Sequence, residues 1–427
     1  PSRVVHSPLS GAVIGTFCET TPADIEAAVQ VASESAWSWA SQSLKDRCQI
    51  MFKVREILHR DIESIAHLVS SESGKTLAES HAGILKGIEV LEFALSLQNL
   101  DIGGRMEVSN GIHCEYRREP LGVVAGVTPF NFPAMVPMWM LPIAITLGNA
   151  FIWKPSDKTP LTSIRLGAAF LEAGLPPGVL TILQGAKATV EGLLDTDRVS
   201  ALAFVGSTAV AKDVYSRGTK HHKRILALGG AKNHIILMPD ADRDMAVDGV
   251  LASFTGCAGQ RCMAASVLLA VGDTDDILRD IQARATKVEL GAGMGAIISK
   301  ESLDRLETAI ARAEADGASL VVDGRNPNPP GGCEDGYWLS PCIIDHAKPD
   351  FHAATEELFG PVLTIIRCKT LSEAMAIERK SIYGNAASVF TSSGAVAERV
   401  SQEASAGMIG VNIGVPVPRE PFSFGGI

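Results

Sequence analysis

Apolar side chains recur at helical spacing through the first hundred residues. Ile25, Val29, Ala32 and Trp37 mark one such face. Thr21-Pro-Ala-Asp precedes it, with Thr21 placed to cap, Pro22 suited to the first helical position and Asp24 putting a carboxylate in the first turn. Helical periodicity continues over residues 45–69 and 77–97. The texture changes near Asp101. Residues 106–116 alternate as a strand pair does, and Asn110-Gly111 at their centre predicts a β-hairpin closed by a type I′ turn. An isolated hairpin is marginal without something to pack on, so a projecting element that meets another subunit is expected.

Beyond Leu121, short apolar runs alternate with helical stretches. Strands are predicted at 123–127, 150–153, 180–183, 202–205 and 225–228, then at 235–238, 266–271, 362–366, 387–390 and 409–411. Helix-like segments separate most of them, which implies β-α-β units and mostly parallel sheets. The prediction is two doubly wound α/β domains joined near residue 228. The first comprises residues 1–100 and 121–227, with 101–120 as the hairpin. The second runs over 228–412, and 413–427 begin a C-terminal segment.

Length supports this division, because 427 residues exceed one ordinary core. With 46% apolar and 20% charged residues, the composition is that of a globular enzyme. A net charge of -10 without a basic block argues against a nucleic-acid partner. A polyanionic ligand would then need locally placed cations. The eight cysteines are scattered, with no CxxC pair and no zinc-like spacing, so no metal is expected and reduced thiols are. The longest apolar stretch, 133–145, contains three prolines and is too short to span a bilayer. No secretory leader pattern is visible. A cytoplasmic location is expected, or the mitochondrial matrix if a transit peptide has been removed.

Chemistry concentrates in a few loops. Gly256-Cys-Ala-Gly-Gln-Arg-Cys-Met-Ala lies between a helical stretch and the strand at Ser266. Cys262 there is placed for exposure, and the adjacent Arg261 would lower its thiol pKa and supply a thiolate nucleophile. Cys257, Cys342 and Cys368 read as buried apolar cysteines. Thr128-Pro-Phe-Asn-Phe-Pro follows the strand at 123–127, where open parallel sheets bind ligands, and Asn131 could donate to a developing oxyanion. Read alone, Asn131 is an Asx-turn residue. Trp153-Lys-Pro-Ser-Asp ends another strand, with Lys154 and Asp157 suited to ribose hydroxyls or to an ordinary turn. Phe204-Val-Gly-Ser-Thr opens a helix, where Ser207 either meets a phosphate or caps. No GxGxxG follows the first strand of the series. Glu356-Glu-Leu-Phe-Gly-Pro, an acidic turn by itself, leads into the strand at Val362.

In this order these segments resemble the aldehyde dehydrogenase superfamily, from Pro8-Leu-Ser-Gly to Pro421-Phe-Ser-Phe-Gly-Gly. Gly259-Gln-Arg-Cys262 is the most specific of them. The resemblance implies an NAD-binding first domain, a catalytic second domain and an oligomerisation hairpin. It implies Cys262 as nucleophile, with Asn131 and the Cys262 N–H as oxyanion donors. Thr128, Pro129, Phe130, Lys154, Asp157, Ser207, Gly229, Glu357 and Phe359 would hold NAD. Hydrolytic members carry a glutamate base in a motif like Glu-Leu-Gly-Gly-Lys. Here Leu226-Ala-Leu-Gly-Gly-Ala-Lys-Asn offers only Ala227 or Leu228, and neither can deprotonate water.

That stretch, Phe132-Pro-Ala-Met-Val-Pro-Met-Trp-Met and Cys257-Ala-Gly-Gln-Arg-Cys-Met-Ala resemble the methylmalonate-semialdehyde dehydrogenase branch. The resemblance implies acyl transfer to coenzyme A from a small carboxylated aldehyde. Arg261 and Lys86, with Trp139, would meet that substrate, Lys86 standing where the branch has an arginine and so losing the bidentate fork. The resemblance further implies a tail continuing beyond Ile427. It implies a homodimer or homotetramer, with no membrane partner. Three readings stay open: a coenzyme A-acylating semialdehyde dehydrogenase, a hydrolytic enzyme with another base, and an NAD-binding homologue that has lost catalysis.

Overall fold

A computed structural model describes residues 2–100, 103–414, 416–417, 419–422 and 425–426. The chain parts into two compact units. One gathers residues 1–6, 13–73 and 80–229; the other gathers 7–12, 74–79 and 230–427. The first two positions of the predicted hairpin segment, 101 and 102, lie outside the described residues. So do 415, 418, 423, 424 and 427 of the C-terminal segment.

The first unit opens with an antiparallel pair, β1 (Ser2–His6) and β2 (Val13–Cys18), which the sequence reading did not contain. Helix α1 (Pro22–Ala40) starts as predicted, with a capping box between Thr21 and Asp24. Its buried face ends on Trp39, not on Trp37, which is 83% exposed. Fourteen positions from Ile25 make nearly four turns and return to the same face, whereas twelve do not. The periodic stretch 45–69 resolves into α2 (Leu44–Arg60) and α3 (Ile62–Ser73), broken where Asp61 leaves the helical conformation. Helix α4 (Leu77–Leu100) follows.

The hairpin β3 (Gly104–Ser109) and β4 (Ile112–Tyr116) forms, but its turn is not type I′. Only Gly111 of the central pair takes positive φ, at 75°. The Glu107 side chain accepts the Gly111 N–H at 2.8 Å, and the register shifts between Glu107 and Ser109, so a bulge replaces the symmetric two-residue turn.

The unit's sheet holds β5 (Val123–Val127), β6 (Ala150–Lys154), β7 (Leu180–Ile182), β8 (Val199–Val205) and β9 (Arg224–Leu228). Their order is β7-β6-β5-β8-β9, all parallel. Both β5 and β6 are wholly buried, as doubly covered parallel strands must be. Alternate residues serve two cores. Val124, Phe151 and Trp153 face α2, α4, α5 (Leu141–Thr146) and α6 (Pro160–Glu172). Val123, Ala125 and Ile152 face α1, α7 (Lys187–Asp195) and α8 (Thr208–Lys220).

The second unit carries β10 (Asn233–Leu237), α9 (Arg243–Thr255), β11 (Ala265–Val271), α10 (Asp275–Ala285) and α11 (Lys300–Ala315). It continues through β12 (Ser319–Val322), β13 (Cys342–Asp345), α12 (His352–Thr355), β14 (Val362–Cys368), α13 (Leu371–Glu378), β15 (Ala386–Phe390), α14 (Gly394–Glu403) and β16 (Met408–Val411). The strand order is β12-β13-β14-β11-β10-β15-β16, parallel except for the edge strand β12. Ile236, Val267 and Leu269 enter one core, and Ile235, Leu268 and Ala270 the other. Among the described residues no helix is long and apolar enough to cross a membrane.

Candidate active site

The first unit's predicted cofactor and oxyanion residues stand at the carboxyl ends of its strands. The strand order reverses between β5 and β8, and that switch point opens a crevice in doubly wound sheets. Thr128 and Pro129 follow β5. Thr128 is buried, donates its N–H to the Lys154 carbonyl at 3.1 Å and accepts the Trp153 indole N–H at 2.8 Å. Asn131 in the same loop is buried. The Lys158 ammonium lies 5.8 Å from the Phe130 ring centroid.

Lys154 ends β6 with its side chain buried. Burial pulls its ammonium below the ordinary value, while Asp157 opposes that pull. Ser207 precedes α8 in extended conformation, and its side chain makes no capping hydrogen bond. The Ser207 side-chain capping alternative is therefore not realised, and the dipole of a helix start suits an anion. Gly229 sits beside Thr208, where an added Cβ would come within 3.3 Å of the helix backbone.

Two residues assigned to substrate contact stand elsewhere on this unit. Lys86 on α4 bonds Glu89 at 2.8 Å. Trp139 ends a single turn of helix, Val136–Trp139, and lines an apolar groove with Met140, Ile143, Phe151 and Leu226.

In the second unit the candidate residues gather at the amino-terminal edge of the sheet. Cys262 lies between α9 and β11 and is partly exposed. Its carbonyl accepts the side-chain amides of Asn233 and Asn385, each at 2.8 Å. Asn233 also accepts the Ala386 N–H at 3.0 Å, so one amide joins the starts of β10, β11 and β15. Ahead of the cysteine the chain makes a left-handed turn, with φ of 54° at Cys257, 51° at Ala258 and 68° at Gly259. For the two residues with a Cβ this costs about 1–2 kcal/mol each. Gly259 is obligatory, because a Cβ there would collide with the Gly360 carbonyl and Pro361. Gln260 anchors the far side, accepting the Ile298 N–H at 3.0 Å and donating to the Ala296 carbonyl at 3.1 Å.

Glu357, just before β14, accepts the Ala231 N–H at 3.0 Å. Burial raises its carboxyl above the usual range, against the pull of that N–H, Lys232 and Arg305. The Arg305 guanidinium bonds the Leu358 carbonyl at 2.7 Å, and Phe359 takes φ of 60°. Lys232 is buried, with no hydrogen-bond partner for its Nζ among the described residues. Burial brings its ammonium down to about 7, against the charges of Glu357 and Glu356.

Arg261 lowers the Cys262 thiol as expected, but that effect is outweighed. The Cys262 thiol is pushed up to about 11, chiefly by burial and then by the Glu357 charge, and Arg261 opposes this only weakly. The reason is orientation. The guanidinium turns back to the carbonyls of Ala252 and Ser253 (the latter at 3.1 Å) at the end of α9. Its Nε is buried without a partner among the described residues.

Asn233 and Gln260 lay inside motifs legible in the sequence, the stretch from Leu226 and Gly259-Gln-Arg-Cys262, but were given no role. Asn385 carried no signal.

Comparison with known proteins follows the same lines. The model of the aldehyde dehydrogenase family matches residues 2–427. A malonate-semialdehyde dehydrogenase of Geobacillus kaustophilus is 41% identical over 99% of this chain and 89% of its own length. Among solved structures, a methylmalonate-semialdehyde dehydrogenase from Oceanimonas doudoroffii superposes with a TM-score of 0.98 at 38% identity, covering 100% of this chain and 89% of its own. A Sinorhizobium meliloti protein provisionally assigned the same activity, solved in complex with NAD, reaches 0.98 at 37% identity, covering 100% of this chain and 88% of its own. With a family match over residues 2–427 and its Gly259-Gln-Arg-Cys262 loop, strand-end residues and Glu-Glu-Leu-Phe-Gly-Pro segment all present, the chain belongs to the aldehyde dehydrogenase family.

Proposed function

We propose that the chain oxidises malonate or methylmalonate semialdehyde with NAD, through a thioester on Cys262, and passes the acyl group to coenzyme A. The observation that carries this reading is the partly exposed Cys262 on its left-handed loop, combined with Ala227 and Leu228 where a hydrolytic enzyme needs a carboxylate. The printed names of the relatives support the substrate.

Each unit's residues suit one part of a dinucleotide. The uncapped start of α8 at Ser207 suits a pyrophosphate, buried Lys154 with Asp157 suits the adenosine ribose, and Glu357 with Phe359 suits the nicotinamide end. When bound, NAD supplies the acceptor for the substrate's hydride. The protein's part is to deliver a thiolate and to stabilise an alkoxide. Cys262 Sγ adds to the aldehyde carbon, and Asn131 and the Cys262 N–H serve as donors to the oxygen. The carbonyl re-forms as hydride leaves, and the thioester remains. A thiol is a competent acceptor without a strong base beside it, whereas water is not.

A carboxylate on the aldehyde would be met by Arg261 and Lys86. The Arg261 Nε, buried without a partner among the described residues, would have to turn from the end of α9 to meet one oxygen, and Lys86 would share its charge with Glu89. Hydrolysis is the second reading. The raised carboxyl of Glu357, whose charge is felt at Cys262, is its candidate base. Assembly as a dimer or tetramer and a cytoplasmic setting complete the proposal, the latter in keeping with eight free thiols.

The deciding experiment is NADH formation from each semialdehyde, with and without coenzyme A. The expected result is turnover that needs coenzyme A and releases an acyl-coenzyme A. Equal rates without it would overturn acyl transfer in favour of hydrolysis. Comparable rates with acetaldehyde at equal concentration would remove the carboxylate from the substrate description.

A further inference from the structure

The left-handed turn before Cys262 is held from an unexpected direction. Helix α4 begins with a capping box: the Thr76 N–H donates to Glu79 Oε2 at 3.1 Å, and the Glu79 N–H donates to Thr76 Oγ1 at 3.2 Å. A box of this kind needs only one carboxylate oxygen. The other, Glu79 Oε1, accepts the N–H of buried Cys257 at 2.5 Å. That N–H opens the turn, and its residue is the first of the three with positive φ.

Glu79 therefore grips the start of the turn while Gln260 grips its end and Asn233 and Asn385 grip the Cys262 carbonyl. Without the carboxylate, a buried N–H would lose its acceptor exactly where the backbone is least comfortable, and relaxation toward ordinary φ would follow. Cys262 lies five positions on, and its thiol and N–H move with the turn.

We propose that Glu79 is a positioning residue for the nucleophile: by holding the Cys257 N–H it fixes the left-handed turn that sets the placement of the Cys262 thiol and backbone N–H. This rests on the reading of Cys262 as nucleophile. The carboxylate touches neither substrate nor cofactor. Its effect belongs to the chemical step, where a displacement of about 1 Å can cost roughly a hundredfold in rate.

The test uses the full chain with E79A, E79Q and T76A. Two quantities are read in each: kcat and KM for NADH formation, and the rate at which iodoacetamide alkylates Cys262, followed by peptide mass. E79A is expected to lower kcat by about tenfold to a hundredfold while KM for NAD stays within about twofold. Its loosened turn should at the same time expose the half-buried thiol and speed alkylation severalfold. E79Q, which keeps one acceptor oxygen, should recover part of both effects and serves alone if E79A does not fold. T76A breaks the capping box but leaves the Cys257 bond, and should change neither quantity by more than about twofold. Wild-type kcat and alkylation in E79A and E79Q would overturn the proposal whatever happens to Tm. So would a T76A variant that reproduces E79A, because the box alone would then account for it. Retained NADH formation in C262A would instead sink the nucleophile reading, and is read independently of either Glu79 variant.

Discussion

At the scale of single residues, the Cys262 loop is governed by burial more than by neighbouring charge. Cys262 has a cation next to it in sequence, yet its thiol is held up at about 11, first by burial and then by the Glu357 charge, while the Arg261 side chain serves helix carbonyls. Lys232 follows the same rule with the opposite sign. Its ordinary value of 10.5 is brought down to about 7, so between these values the folded chain binds fewer protons than the unfolded one. Stability contributed by this group is therefore fully present above about 10.5 and is lost progressively as pH falls from there to about 7. The prediction is that K232M gains stability over wild type by a few kcal/mol near pH 6 and by much less near pH 9, read by urea unfolding at each pH. A difference that stays constant between the two would show that Lys232 does not titrate in that window.

Elements show what sequence makes legible and what it hides. Strands β5 and β6 are unbroken apolar runs because helices cover both faces, and such runs stand out. Strands β12 and β13 have four residues each and escaped notice, since so short a run is not distinctive. The strand-end loops holding Thr128, Lys154 and Ser207 were readable because chemistry and topology coincide there. The roles of Glu79, Gln260 and Asn385 were not, for their bonds reach 178, 38 and 123 positions along the chain. One helix start makes a sharp test. Glu72 is fully buried and its carboxylate accepts the Leu161 and Thr162 N–H groups at 2.9 and 2.8 Å, doing for α6 what the uncapped Thr159 does not. E72A strands both donors and is expected to cost about 2–4 kcal/mol in thermal or urea unfolding, with E72Q costing less. A loss below about 0.5 kcal/mol in E72A would mean that water replaces the carboxylate.

For the whole molecule, the hairpin β3–β4 is the feature that asks for a partner. Every residue from Arg105 to Tyr116 is exposed, including Met106, Val108, Ile112 and Tyr116. Apolar strands left this open are usually covered by another chain. The double variant M106D/I112D is expected to lower the mass measured by light scattering toward that of one chain. An unchanged mass would place the subunit contact elsewhere.

Residues 74–79 belong with the second unit although the chain on both sides of them belongs to the first. This bears on the order in which the protein is made. During translation these six residues emerge from the ribosome long before Cys257, and the Glu79 carboxylate must wait 178 positions for its partner. Contacts of such separation close late. The turn before Cys262 then sets after the first unit's sheet, β5 to β9, has had time to pair. The Asn385 grip on the Cys262 carbonyl waits longer still, 123 positions beyond the cysteine, so the geometry around Cys262 is completed only in the last part of synthesis.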